Sequence, residues 1–514
     1  MTLLETLFGA PSKEWLYFGF FLVGIVGFIA AAEKTRSRMG WSPEVNRKLV
    51  HILTGLLICV TPFVFKNSKP LVWMAVLFIV VNGVGIHTGR LQGMHGTSRH
   101  SYGTIFYPLT FLILVLLFWP ANKAILILSM LILAIADAAA AIVGENLRKP
   151  HTFHLGRDIK SLEGSAAMFL TSFILVLFLL PLLAKLDRHV ITWEQAAWAA
   201  GVTALLSSAL EALSSRGSDN LTAPLGAAFV LHFFITNWNS ETVTANTQFT
   251  IGLGLALAIA LLSYGARFLT ASGAVGTFLL ATLIFGIGGW IWAVPILAFF
   301  LLSSLMSHAG KSHKLQFNLI FEKSSRRDIG QVLANGGAAG TAMLCHYFFH
   351  GPEWYLIYLG SLAAVNSDTW ATEIGVFSRT PPRSVKNFQR VPPGTSGGIT
   401  PLGLTGALAG ALVIALSGWL MSPGQISIIG LTFWIIVIAG FMASLADSLL
   451  GATLQAQYQC PVCMKITEKQ LHCQGKATRF VRGLPWLNND GVNAVCSFTG
   501  FFIVYAACTY ISII

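Results

Sequence analysis

Ala124-Ile-Leu-Ile-Leu-Ser-Met-Leu-Ile-Leu-Ala-Ile-Ala-Asp137-Ala-Ala-Ala-Ala-Ile-Val143 is a run of twenty residues in which Asp137 is the one ionisable side chain. A helix of about twenty such residues spans the hydrocarbon core of a bilayer. A carboxylate at the bilayer centre costs roughly 2.5–3.5 kcal/mol on the insertion scale, so Asp137 needs a partner or a task. Its small neighbours let other helices or a ligand approach closely.

The chain around this stretch has the same character. Of 514 residues, 54% are apolar and 11% charged, against about 25% charged in a typical soluble domain. That composition excludes a soluble globular enzyme, a disordered or collagen-like chain, and a disulfide-stapled secreted domain. Fourteen Trp and 36 Phe suit a lipid-facing surface. The seven Cys are too scattered for a disulfide framework. No cleavable signal is read in Met1–Glu14, and the apolar run 15–32 is long enough to span.

Further apolar runs are expected near 49–65, 71–86, 102–119, 165–183, 191–210, 221–235, 249–263, 273–287, 290–306, 331–349, 354–371, 401–421, 426–450 and 491–513. With 15–32 and 124–143 they make an all-α, polytopic integral membrane protein of about sixteen spans. Alternate loops (33–48, 87–101, 144–164, 211–220, 264–272, 307–330, 372–400 and 451–490) hold 27 of the 33 Lys and Arg. Such loops face the cytoplasm, so the net charge of +12 reads as topology rather than nucleic-acid binding. Both termini are expected outside a bacterial inner membrane. The polar stretch 236–248, without Lys or Arg, divides two tandem eight-helix halves, 1–238 and 246–514, that enter the membrane in the same orientation, as parallel repeats would.

The acids gather at the expected cytoplasmic ends. In the first half Asp137 is followed by Lys160-Ser161-Leu-Glu163-Gly164-Ser165, then Glu211, then Asp219-Asn220. In the second half the series is Asp368 and Glu373, a basic loop with Arg383 and Lys386, Gly394-Thr395-Ser-Gly397-Gly398, Asp447-Ser448, and Asn489-Asp490 with Asn493. Asp137 and Asp368 are 231 residues apart, and Gly164 and Gly397 are 233 apart, which suggests a distant duplication. Gly and Ser at a helix start offer free N–H groups to an anion. The Lys160 loop is no Walker A motif, because Ile159 stands where that motif has Gly. Carboxylates beside basic residues and anion-binding turns fit phosphoryl transfer with Mg²⁺ or Mn²⁺, held in the two halves by Asp137, Asp219, Asp368 and Asp447. Arg47 and His51 share one helix face at the membrane boundary, next to Lys48. Cys460-Pro-Val-Cys463 with His472-Cys473 has the ligand types of a zinc knuckle, with a set of free thiols as the alternative. Gly406 and Gly410 form a GxxxG packing face.

Two families resemble these motifs. Residues of about 30–235, through Arg47-Lys48-x-x-His51, Asp137, Lys160-Ser161-x-Glu163-Gly164-Ser165, Glu211 and Asp219-Asn220, resemble the polyprenol, phytol and dolichol kinases related to CTP-dependent phosphatidate cytidylyltransferases. Residues of about 250–513, through Asp368-Thr369-x-x-x-Glu373, Gly394-Thr395-x-Gly397-Gly398, Asp447-Ser448 and Asn489-Asp490-x-x-Asn493, resemble phytyl-phosphate kinase and its transmembrane relatives. The resemblance implies a bifunctional kinase. The first half would phosphorylate an isoprenoid alcohol (phytol, geranylgeraniol or similar) with CTP as donor, and the second would convert the monophosphate to the diphosphate. The implied partners are prenyl alcohols and prenyl phosphates, a nucleotide and the bilayer, with no nucleic acid. A cytidylyltransferase acting on a lipid phosphate and a membrane transporter are the alternatives.

Overall fold

The computed structural model describes residues 9, 11–41, 43–88, 101–119, 121–155, 158–239, 243–309, 326–473 and 475–510. Most of the loops 87–101 and 307–330, residues 156–157, and residues 240–242 of the expected linker lie outside the described residues. The chain divides into two compact units, Met1–Asn246 and Thr247–Ile514.

The first unit contains α1 (Ser12–Met39), α2 (Pro43–Val64), α3 (Lys69–Thr88), α4 (Gly103–Phe118), α5 (Lys123–Asn146), α6 (Leu162–Leu183), α7 (Trp193–Leu213) and α8 (Asp219–Asn239). In the second are α9 (Val243–Gly265), whose first residues precede the division, α10 (Ala271–Ala309), α11 (Ile329–Phe349), α12 (Glu353–Gly375), α13 (Pro401–Met421), α14 (Leu431–Thr453) and α15 (Asn489–Tyr510). Twelve of these are long and apolar enough to cross a membrane. The difference from sixteen has physical reasons. Helix α4 is 16 residues long. Helix α10 holds two of the expected runs, 273–287 and 290–306, joined at Gly289, whose φ of 58° and ψ of −154° break the helix. Helices α11 and α12 are helical over 21 and 23 residues but fall outside the twelve.

The all-α expectation needs one amendment. Short strands of two to four residues fill the loops at the ends of the helices. Strands β1 (Thr152–His154) and β2 (Ile159–Ser161) form an antiparallel hairpin before α6. Strands β3 (Arg383–Ser384) and β4 (Gly398–Ile399) do the same before α13. A larger insert between α14 and α15 carries β5 (Gln457–Gln459), β6 (Ile466–Thr467), β7 (Leu471–His472), β8 (Lys476–Ala477) and β9 (Arg479–Arg482), in a three-stranded and a two-stranded sheet.

One helix is central in each unit. In α5, 72% of the apolar window is buried within the protein. In α12, every residue from Tyr355 to Ser367 is buried. Small residues permit this closeness: a Cβ on Gly406 would lie 2.7 Å from Trp370 O, and one on Gly410 2.7 Å from Asn366 O. The expected packing face of α13 is therefore the one that meets α12.

Candidate functional site

The central helices deliver their acids to one end of each unit. Just before Asp137, α5 widens into a π turn over Ile132–Ala136, a local form frequent at functional sites. The loosened ladder leaves Leu133 O to accept from His51 Nε2 at 2.9 Å. A carbonyl can only accept, so Nε2 carries the proton and Nδ1 is the acceptor. The His51 ring also meets Tyr107 edge-on, 4.4 Å between centroids.

Residue Lys160, at the end of the β1–β2 hairpin, is the centre of the first site. Its ammonium donates to Glu211 Oε1 at 2.5 Å, from the end of α7, and to Asp219 Oδ2 at 3.2 Å, from the start of α8. Burial acts to lower the lysine's pKa, but the carboxylates of Asp219 and Glu211 outweigh it and hold the value above the ordinary one. Lys160 is therefore a charged ammonium with one of its three N–H bonds left for another acceptor. Asp137 is half-buried and within electrostatic reach of Asp219, Lys160, Glu211 and Arg47.

These groups line a cavity of about 570 Å³. Arg47, Lys48, His51, Asp137, Lys160, Ser161, Gly164, Ser165, Glu211, Asp219 and Asn220 all reach it. Ile25, Ile58, Phe78 and Phe111 add apolar lining. Some of the polar groups are already engaged: Lys48 pairs with Glu145 at 2.7 Å, and the Asn220 amide donates to Gly103 O at 3.0 Å. Glu163 does not line the cavity. It lies in the first turn of α6 and holds His151 through the backbone N–H and Nδ1, the latter at 2.6 Å. It ties the hairpin to the helix. Tyr107, Asn82, Asp158 and Arg216 line the cavity too and were not singled out from the sequence.

The second unit repeats the frame with different contents. Ser161 Oγ caps α6 by accepting from Gly164 N at 3.1 Å, and Thr400 Oγ1 caps α13 by accepting from Gly403 N at 3.0 Å. A Cβ on Gly164 would lie 2.9 Å from Ala140 O and 3.6 Å from Gly144 Cα. One on Gly403 would lie 3.0 Å from Ala371 O and 3.5 Å from Gly375 Cα. The equivalent of Gly164 is thus Gly403, not Gly397. Ala140 and Ala371 are 231 residues apart, as Asp137 and Asp368 are, while the caps are 239 apart, because the second hairpin is longer.

The second group of acids is placed by packing. Cys496 Sγ contacts Ala364 O at 3.7 Å and Ala443 O at 3.4 Å, joining α12, α14 and α15. Asp368 and Asp447 lie one turn beyond those two carbonyls, and Asn493 one turn before Cys496 on a helix running the other way. All three therefore share one level. The Asp368 and Asp447 carboxyls are within electrostatic reach of one another, and Asp447 Oδ2 is buried with no hydrogen-bond partner. Position 399, which matches Lys160 through the caps, is Ile. Arg383 donates to Phe388 O within its own hairpin and Lys386 is exposed. Glu373 is turned to α10, accepting from Ser307 Oγ at 2.7 Å. Asn489 and Asp490 open α15.

The glycine-rich turn rests directly on α14. Gly394 and Gly397 have φ of 83° and 77°, and a Cβ on Gly397 would lie 2.4 Å from Ser448 O. Gly398 pairs in β4, and the Thr395 hydroxyl donates to Pro392 O. An unpartnered buried carboxylate oxygen beside a second carboxylate is a hard, all-oxygen donor set, and such a set fits Mg²⁺.

Comparison with known proteins gives a family and several named relatives. The family profile described as integral membrane protein DUF92 matches residues 254–501. A protein named PGR from Arabidopsis thaliana is 31% identical over 274 residues, covering 49% of this chain and 93% of the relative. The chain belongs to the DUF92 family of integral membrane proteins. It is therefore a multi-pass membrane protein, and it also carries a phytol kinase-like membrane domain. A protein named phytol kinase from Synechocystis is 31% identical over 211 residues, covering 40% of this chain and 86% of the relative. Phytol kinase 1, chloroplastic, of Arabidopsis thaliana is 25% identical over 219 residues, covering 40% of the chain and 71% of the relative. No solved structure matches.

Proposed function

We propose that this protein phosphorylates an isoprenoid alcohol to the monophosphate in its first unit and the monophosphate to the diphosphate in its second, with CTP as donor. The observation that carries the reading is the first cavity, lined by apolar side chains together with Asp137 and with Lys160, which pairs with Glu211 and Asp219. That polarity matches an amphiphile whose hydroxyl is the reacting group. Relatives named phytol kinase support the substrate class.

In the first unit the alcohol O–H proton passes to one of the cavity carboxylates as the alcohol oxygen forms a bond to the terminal phosphorus of the nucleotide, the bridging P–O bond breaks, and CDP leaves. Lys160 turns its remaining N–H toward phosphate oxygens, while Glu211 and Asp219 keep it charged and fixed. Arg47 adds positive charge at the rim. Mg²⁺ held by Asp137 and Asp219, or by Asp368 and Asp447, would neutralise phosphate oxygens. In the second unit Ile399 takes the position that matches Lys160, so Asp368 and Asp447 carry more of the metal-holding role. The tethered second unit receives the monophosphate at high effective concentration. The basic loops and both sites face the cytoplasm of a bacterial inner membrane, with both termini outside.

Purified protein supplied with a panel of prenyl alcohols, CTP and Mg²⁺ tests the reading. Formation of prenyl phosphate with stoichiometric CDP is the expected result. Pyrophosphate release with a CDP-lipid product would make it a cytidylyltransferase, and no nucleotide turnover would favour transport.

A further inference from the structure

The insert between α14 and α15 carries a cluster that the two candidate sites do not use. The ligand atoms of Cys460, Cys463, His472 and Cys473 all lie within 4.8 Å of one another. His472 Nδ1 is 3.5 Å from Cys463 Sγ and 3.2 Å from Cys473 Sγ. A tetrahedral ion with Zn–S near 2.3 Å and Zn–N near 2.0–2.1 Å separates sulfur from nitrogen by about 3.6 Å, so the two distances need only small adjustment. The backbone is shaped to bring the ligands in. Val462 N donates to Cys460 Sγ at 3.4 Å, Met464 N to Cys460 O at 2.9 Å, and Cys460 N to Lys465 O at 3.0 Å. Met464 and Cys473 have φ of 58° and 39°, the left-handed turns that fold each ligand pair inward. Three thiols and a buried histidine make a poor disulfide set, since one sulfur would be left over and the histidine would have no part.

The cluster closes a loop that reaches the second site. Glu468 lies between Cys463 and His472, just past β6. Its Oε1 accepts from Ser396 Oγ at 2.7 Å, within the glycine-rich turn that rests on α14. Glu468 is also within electrostatic reach of Asp447. Thr467 beside it is buried, so the strand that positions Glu468 is anchored on both sides by ligands.

We propose that Cys460, Cys463, His472 and Cys473 bind one zinc ion, and that this zinc clamps the insert so that Glu468 holds Ser396 and the 394–398 turn against Asp447. The metal site stands independently of the kinase reading; only the importance of the turn for phosphate binding rests on it. Glu468 is a positioning residue, acting through Ser396. A closed set of four soft and borderline ligands leaves no open position, which is the pattern of a structural rather than a catalytic zinc.

Elemental analysis and hydrogen exchange of the full chain, purified in detergent without chelator, test both parts without any activity measurement. About one zinc per chain is expected in the wild type and in Glu468→Ala, and at least a tenfold loss in Cys463→Ser. Exchange of the 394–398 amides should rise at least tenfold in both variants, and Glu468→Gln, which keeps an acceptor for Ser396, should restore protection. Absence of stoichiometric zinc in the wild type would overturn the metal site. Unchanged exchange at 394–398 in Glu468→Ala, with zinc retained, would overturn the clamp. If Cys463→Ser does not fold, the wild-type zinc content and the Glu468 pair still decide both. An inactive wild type with these results intact would count against the kinase reading alone.

Discussion

Replacing Lys160 by Met should cost the first unit about 3–5 kcal/mol, the range for removing one partner of a buried ion pair. The side chains of Lys160, Glu211 and Asp219 are 16%, 7% and 20% exposed, so water screens the loss poorly. Deleting the ammonium strands two carboxylates beside Asp137. The figure therefore measures uncompensated charge rather than the worth of the salt bridge, and a second substitution should reveal this. Lys160→Met with Glu211→Leu should recover at least 1–2 kcal/mol relative to the single variant, because neighbouring sites couple by 0.5–3 kcal/mol. Unfolding in mixed micelles with rising dodecyl sulfate, followed by tryptophan fluorescence, gives these differences. The sign with pH follows from the raised lysine pKa. The contribution is fully present below the unfolded value of about 10.4 and is lost only as pH rises through the higher folded value. The gap between wild type and Lys160→Met should thus stay constant from pH 7 to 9. A cost below about 0.5 kcal/mol, or strict additivity of the double variant, would refute the three-residue network.

Three further outcomes are expected. Ser161→Ala and Thr400→Ala should each destabilise by about 0.5–2 kcal/mol in the same unfolding assay, as loss of a helix cap does. Gly397→Ala should be worse than Gly403→Ala, since the former adds a positive φ to a contact of 2.4 Å with Ser448 O and overpacking alone costs about 1–3 kcal/mol; equal effects would contradict the close seating of the turn. An impermeant thiol reagent applied to intact cells should label Arg188→Cys above the parent level and leave His154→Cys and Lys386→Cys unlabelled until the cells are opened, and the reverse pattern would invert the proposed orientation.

The helices were legible because hydropathy over twenty residues is a strong, local signal. The break within α10 falls at Gly289, between the two runs read from the sequence. The strands were not legible, since two-residue strands leave no alternation to read. Among site residues, the acids could be picked out because a carboxylate at a membrane-helix end is rare. Their partners could not. Glu163 stands three residues from Lys160 and looks like part of the same motif, yet the first turn of α6 rotates it toward His151. Gly397 was matched to Gly164 by spacing alone, and the longer second hairpin shifted the true equivalent to Gly403. Tyr107 has no sequence signal, and Glu468 acquires its place only through the folded insert.

The central claim is two phosphorylations on two units, and separate assay of the half-reactions tests it most directly. Purified wild type, Asp137→Asn and Asp368→Asn, each shown to be folded, should be given prenyl alcohol or prenyl monophosphate with CTP, and products followed by mass spectrometry. Asp137→Asn should lose at least a hundredfold in monophosphate formation and still convert monophosphate to diphosphate at the wild-type rate, and Asp368→Asn should do the reverse. Loss of both steps in either folded variant would contradict the account, leaving one composite site in place of two.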